Sequence, residues 1–176
     1  MDLEQGVMGL PYRAKTIALF FLELGDKEGI DISPMKMQKL IYFAHGWCLA
    51  INGLPLIEES IEAWRYGPVI SNIYYWLRQF GSQPIQLFDL DVEPQDFARL
   101  KMLRQDGETV QLLHKVWDVY KGYDAIELST MTHLPESPWE EARVKVPKEK
   151  FNVTIEDQQI RQYFIEQFSK AHMSAV

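Results

Sequence analysis

The sequence is poor in cysteine and in long apolar runs. A single cysteine, Cys48, excludes an intrachain disulfide and every CxxC metal motif. The first residues, Met1 to Glu4, lack the basic and then apolar pattern of a signal peptide. The most apolar stretch, Leu40 to Ile51, is shorter than the roughly 20 residues that a membrane span needs. We therefore expect a cytoplasmic protein without a membrane segment.

Basic residues are also in the minority. The chain has 25 Asp and Glu against 18 Lys and Arg, which gives a formal net charge of −7. Such a chain repels a phosphate backbone, whose binding depends on clustered basic residues. We find no helix-turn-helix with a basic face, so we expect no nucleic-acid partner and no regulator that binds its own promoter. A basic protein partner suits this charge better.

Motifs for cofactors are missing. The ten glycines form neither GxGxxG nor GxxxxGK[ST], and the four histidines have none of the short spacings of zinc sites. We therefore expect no cofactor, no metal and no catalytic residue. The enzyme alternative that stays open would use His45 or His133, or Cys48 beside His45, with a nearby carboxylate.

Helical periodicity is what the chain has in abundance. Apolar residues recur with helical spacing in five segments: Tyr12 to Gly25, about 34 to 51, Val69 to Phe80, about 95 to 105, and Val110 to Tyr120. Capping signals indicate three further helices, at Asp124 with Glu127, at Ser137 with Glu140, and after Thr154. A chain of 176 residues suits one domain.

Strand signals are few. Ser60 to Arg65 alternates polar and apolar side chains with the period of a half-buried strand, and Tyr66-Gly67-Pro68 interrupts it. A short edge strand is expected at Ile85 to Phe88, since proline is tolerated at sheet edges. The predicted fold class is mainly α (α+β): a compact single domain of about six to eight helices with a short β element around residues 60–66 and 84–88.

Two rigid turns carry the candidate contact residues. Trp, Tyr and Arg dominate the energetics of protein interfaces, and glycine or proline turns can present them to a partner. The candidates are Trp64, Arg65, Tyr66, Pro68, His133 and Trp139. Internal packing of these residues is the equally open alternative. Trp139 in particular could hold its short helix against the core.

Three separated segments resemble one family. They are MQKLIYFAHGW from Met37 to Trp47, IEAWRYGPV from Ile61 to Val69, and Thr132-His133 followed by Pro138-Trp139. In this order they resemble the Panacea domain, also called the SocA-like antitoxin family, over about residues 12–145. Residues 146–176 would then form a C-terminal extension whose terminal helix packs on the domain or contacts the partner.

The resemblance implies a function in binding. Proteins of this family are antitoxins encoded beside a toxin, often in prophages, and they neutralise their cognate toxins by direct protein contact. One member of the type delivers its toxin to a cytosolic AAA+ protease, so a proteolytic adaptor is the alternative within the same binding function. The shared motifs do not identify the toxin.

Overall fold

The computed structural model describes residues 9–147 and 153–173. Within these ranges the chain forms eight α-helices: α1 Ala14–Glu28, α2 Pro34–Asn52, α3 Ser71–Leu77, α4 Pro94–Leu103, α5 Gly107–Tyr120, α6 Ala125–Thr132, α7 Pro138–Val144 and α8 Asp157–Met173. Three short strands accompany them: β1 Ile61–Trp64, β2 Gly67–Val69 and β3 Thr154–Ile155. The predicted mainly α fold with a short β element near residues 60–66 is confirmed.

Helix α2 is the centre of the fold. Its N-cap is Ser33, whose hydroxyl accepts a hydrogen bond from the Lys36 amide, and Pro34 occupies the first turn. Because α2 is apolar on nearly every side, it is surrounded by α1, α3, α5, α6 and α8. Across residues 9–147 and 153–173, no helix combines the length and apolar character needed to cross a bilayer.

The three strands form a small antiparallel sheet in the order β2-β1-β3. Along β1, Ile61 and Ala63 are buried while Glu62 and Trp64 are half-buried, as the alternating sequence predicts. The structure adds a second strand that we did not predict: Gly67–Val69 turns back and pairs with Trp64 to Glu62. The predicted strand and the residues predicted to interrupt it therefore form one hairpin, β1–β2. This hairpin leads directly into α3.

Helix α8 docks on α2 through an aromatic cluster. The Phe164 ring is 2% exposed and lies 5.0 Å from the Trp47 ring and 5.8 Å from the Tyr42 ring, measured between centroids. Gly46 makes this approach feasible, since a Cβ at that position would lie 2.2 Å from Phe164 Cε2. At the start of α8, Asp157 Oδ1 accepts a hydrogen bond of 2.9 Å from Nε2 of the buried His45.

Three local predictions were wrong. Residues 84–88 form no strand: a 3-10 turn runs over Leu87–Asp89, because no neighbouring strand offers the segment a ladder of hydrogen bonds. Helix α1 continues through Gly25 and ends at the left-handed Gly29. Thr154 does not cap α8 but belongs to β3, opposite Glu62. The predicted extension 146–176 falls only in part within the described residues.

Candidate functional site

A groove opens beside the β1–β2 hairpin. It has a volume of about 710 Å³ and is bounded by the first turns of α2, the hairpin and α3. Arg65 and Tyr66 form the tip of the hairpin between the paired residues Trp64 and Gly67. Both tip side chains are exposed, and Tyr66 retains 59% of its accessible surface. The groove is therefore a concave surface with an aromatic and a basic side chain at its rim.

Aromatic side chains line one wall of the groove. The Trp64 ring lies 4.9 Å from the Tyr74 ring, and the Tyr74 ring lies 5.4 Å from that of Tyr75. Trp64 is held in place because its indole Nε1 donates to Glu62 Oε2 over 2.7 Å. At the tip, the Arg65 guanidinium lies 5.3 Å from the centre of the Tyr66 ring. The wall thus combines large apolar faces with polar edges.

Two polar residues of α2 reach the hairpin. Gln38 forms two hydrogen bonds with Ile70, donating to its carbonyl over 3.0 Å and accepting from its amide over 2.8 Å. Lys39 lines the groove although only 1% of its surface is exposed, so its side chain lies at the groove floor. Its Nζ donates to the Pro68 carbonyl over 3.1 Å. The hairpin is therefore fastened to α2 through backbone groups.

The rear of the hairpin rests on α6 and α7. Trp139 Nε1 donates to the Trp64 carbonyl over 2.6 Å, and the Ser129 hydroxyl donates to the Tyr66 carbonyl over 3.0 Å. The His133 ring lies 3.9 Å from the Trp139 ring, and its Nδ1 donates to the Ser129 carbonyl over 2.6 Å. These contacts hold the backbone of the hairpin in one position and leave the tip side chains facing outward.

The structure brings the six predicted contact residues to one hairpin and its support. Arg65 and Tyr66 are exposed and Trp64 is half-buried along the groove. Pro68 is buried, and His133 with Trp139 lies behind the hairpin and is half-buried. Arg65 and Tyr66 therefore offer the most side-chain surface to a partner, and the half-buried Trp64, His133 and Trp139 offer less. The contact of these residues with a partner stays a prediction.

Sequence reasoning missed most residues of the groove, and three of them matter here. Tyr74 and Tyr75 lie on the outer face of α3, opposite the buried Ile73 and Leu77. Two adjacent aromatic residues on the polar side of an amphipathic helix were an available signal. The third residue is Lys39, a basic residue directly before the part of α2 that is almost wholly apolar. A basic residue next to an apolar helical stretch is visible in the sequence. The position of Lys39 under the hairpin is not.

The residues that the enzyme alternative would use have separate hydrogen-bond partners. The Ile57 amide donates to His45 Nδ1 over 3.4 Å, so the Nε2–H of that imidazole points to Asp157. Burial raises the pKa of the Cys48 thiol to about 11, which keeps it protonated and weakly nucleophilic. Within the described ranges no hydrogen bond joins His45, Cys48 and His133. No grouping there of His, Cys, Asp or Glu could hold a metal ion.

We expect the Trp139→Phe substitution to destabilise the fold by about 1–2 kcal/mol, because it leaves the Trp64 carbonyl without its indole donor. Trp76→Phe is the matched control, since the Trp76 indole donates to the Asp91 carbonyl in an exposed contact where water can replace it. The free energy of unfolding should fall less for Trp76→Phe than for Trp139→Phe. Urea denaturation of both variants checks the difference, and equal losses would contradict a structural role for Trp139.

Lys39 should make stability depend on pH. Desolvation by burial lowers the pKa of Lys39 from 10.5 to about 7. Between these values the unfolded chain binds more protons than the folded chain, so stability rises with pH. Lys39→Met removes this term and should stabilise the protein at pH 7.5. We expect this advantage to shrink by about 1 kcal/mol or more towards pH 9.5 in paired urea denaturations. A constant difference would contradict the lowered pKa.

Comparison with known proteins identifies the family. The family model for the SocA-like antitoxin, Panacea domain, matches residues 37–140. The chain belongs to this family. It is 27% identical over 130 residues to the antitoxin SocA of Caulobacter vibrioides (strain NA1000 / CB15N), a match that covers 72% of this chain and 68% of that protein. No solved structure matches the chain.

The matched part of this Panacea-domain chain contains the hairpin and its supports. Residues 37–140 begin inside α2, end inside α7 and include α3, α6 and both arms of the hairpin. Helices α1 and α8 lie outside the match, although both pack against α2. The Panacea family model therefore describes the groove more completely than it describes the packed core.

Proposed function

We propose that this Panacea-domain chain is the antitoxin of a toxin–antitoxin pair and that it neutralises its cognate toxin by direct binding. The observation that carries the proposal is the groove beside the hairpin. Its rim presents Tyr66 and Arg65 on a backbone that α6 and α7 hold in place. Rigid Trp, Tyr and Arg side chains around a recess are typical of binding hot spots.

Charge and side-chain chemistry support binding rather than catalysis. The net charge of −7 favours a basic partner and speeds its encounter. His45 and Cys48 are engaged inside the fold, so neither is available to activate a substrate. The proposal places the protein in the cytoplasm, where a buried single cysteine stays reduced. It involves no cofactor and no nucleic acid.

Co-expression tests the proposal. The chain and the product of the adjacent gene are expressed together and separately in a bacterial host. We expect the neighbouring protein alone to arrest growth, and the pair to grow normally and to elute as one complex on gel filtration. Unrelieved toxicity without a complex would refute neutralisation by binding.

Co-expression in a second host distinguishes blocking of the toxin from its delivery to a protease. If the chain blocks the toxin, neutralisation should persist in a host that lacks its cytosolic AAA+ proteases, and the toxin should accumulate in the complex. If the chain is an adaptor, neutralisation should be lost in that host and the toxin should be short-lived in the parent. We propose blocking, since a rigid recess can cover a toxin surface by itself.

A further inference from the structure

The groove floor carries a lysine amine that has no acidic partner among the described residues. In the described part of the chain, no carboxylate lies within 4.0 Å of Lys39 Nζ, and its one hydrogen bond goes to the Pro68 carbonyl. An ammonium has three donors, so two are left for another acceptor. Burial of a cation without a counter-ion is costly, and an apolar side chain of similar length would avoid that cost. Packing alone therefore does not explain the lysine.

The backbone above Lys39 is shaped around the ammonium. Gly67 has a φ of +107°, a conformation that other residues rarely adopt, and a Cβ there would lie 2.5 Å from Lys39 Nζ. The same Cβ would lie 2.7 Å from Thr132 Oγ1 on α6. Only glycine therefore leaves space for the ammonium between α2, α6 and the hairpin. The hairpin register keeps this glycine opposite Trp64 on the groove wall.

The charged groups near Lys39 already interact with other partners. The Glu62 carboxylate accepts from the Trp64 indole, and the Arg65 guanidinium lies over the Tyr66 ring. On α6, His133 is turned to the Ser129 carbonyl. The groove floor thus carries a basic side chain without a carboxylate partner, next to one aromatic wall.

The geometry points to Lys39 as the receptor for one carboxylate of the toxin, an Asp or Glu side chain that enters the groove with its apolar neighbours against the aromatic wall. This inference rests on the proposed function and names the chemistry that the groove selects. The acidic surface attracts a basic toxin, whereas the buried Lys39 amine, protonated in the complex, donates to a single acidic residue of the toxin. Complementary charges at an interface set such specificity.

Double-mutant cycles test the carboxylate site. The probe is the purified product of the adjacent gene, with its Asp and Glu residues changed one at a time to Asn and Gln. We expect Lys39→Met to weaken binding about tenfold or more, because truncating one partner of a buried charge pair is costly. One toxin variant should weaken binding similarly, and combining the two should add little further loss. Wild-type affinity of Lys39→Met, or additivity with every toxin variant, would overturn the inference.

An NMR measurement on the unmodified chain covers the case in which Lys39→Met does not fold. With lysine labelled at Cε with carbon-13, the Lys39 titration is followed with and without the toxin. A bound carboxylate should move the midpoint to higher pH, and an unchanged midpoint would overturn the inference. A wild-type chain that forms no complex overturns the proposed function and this site with it. Intact binding with no role for Lys39 overturns this site alone.

Discussion

Truncating Phe164 to alanine should lower the free energy of unfolding by about 3–5 kcal/mol, the cost of removing a buried aromatic ring. The ring is packed among Tyr42, Phe43 and Trp47 of α2 and fills the space above Gly46. In urea denaturation the midpoint should fall while the slope stays constant, as expected for one cooperative unit.

Phe168→Ala is the matched control for this prediction. Phe168 is on the same helix, one turn further on, and is 51% exposed. Its truncation should cost about 1 kcal/mol or less, since partly exposed positions lose less packing. Equal, small losses for the two variants would mean that α8 unfolds separately from the core.

The Phe164 result would also show whether the fold needs α8, which lies outside the family match. The match ends at residue 140, before α8. If Phe164 contributes as expected, a chain cut after residue 145 exposes the aromatic face of α2 and does not fold stably. We therefore propose that the helix in the predicted extension 146–176 is part of the core, and that its outer face alone is free to meet a partner.

Tyr66→Ala should weaken toxin binding by about 2 kcal/mol, which is roughly a 30-fold rise in Kd. The side chain is exposed at the hairpin tip, where a partner can bury it. The hydrogen bond from Ser129 goes to the Tyr66 carbonyl, so the truncation leaves the support of the hairpin intact. We expect circular dichroism and the denaturation midpoint to stay near wild type while calorimetry shows the loss of affinity.

Phe88→Ala is the control for this second prediction. Phe88 is 83% exposed in the 3-10 turn Leu87–Asp89, outside the groove. Its truncation removes a comparable aromatic surface and should leave toxin affinity unchanged. If Tyr66→Ala folds normally and still neutralises the toxin fully, the hairpin tip is not the contact. A loss of neutralisation by Phe88→Ala would place the contact elsewhere.

The candidate site could be predicted in part. Arg65 and Tyr66 were found because residue type and a neighbouring Gly-Pro turn are both visible in the chain. Tyr74 and Tyr75 were missed because helical spacing says which face is apolar and not whether the opposite face borders a groove. The second arm of the hairpin was missed as well, since three residues containing glycine and proline carry no strand signal of their own.

The sequence by itself determined the helical character of the fold, the lack of cofactor and disulfide motifs, and the resemblance to the Panacea domain. Each of these depends on composition, on short motifs or on periodicity within one segment. Only the tertiary structure decided that β3 pairs with β1, that Phe164 covers Gly46, and that Lys39 lies buried beneath Gly67. The physical reason is that these contacts join residues far apart in the chain, so their geometry and the desolvation of the lysine exist only once α2, α8 and the hairpin have packed together.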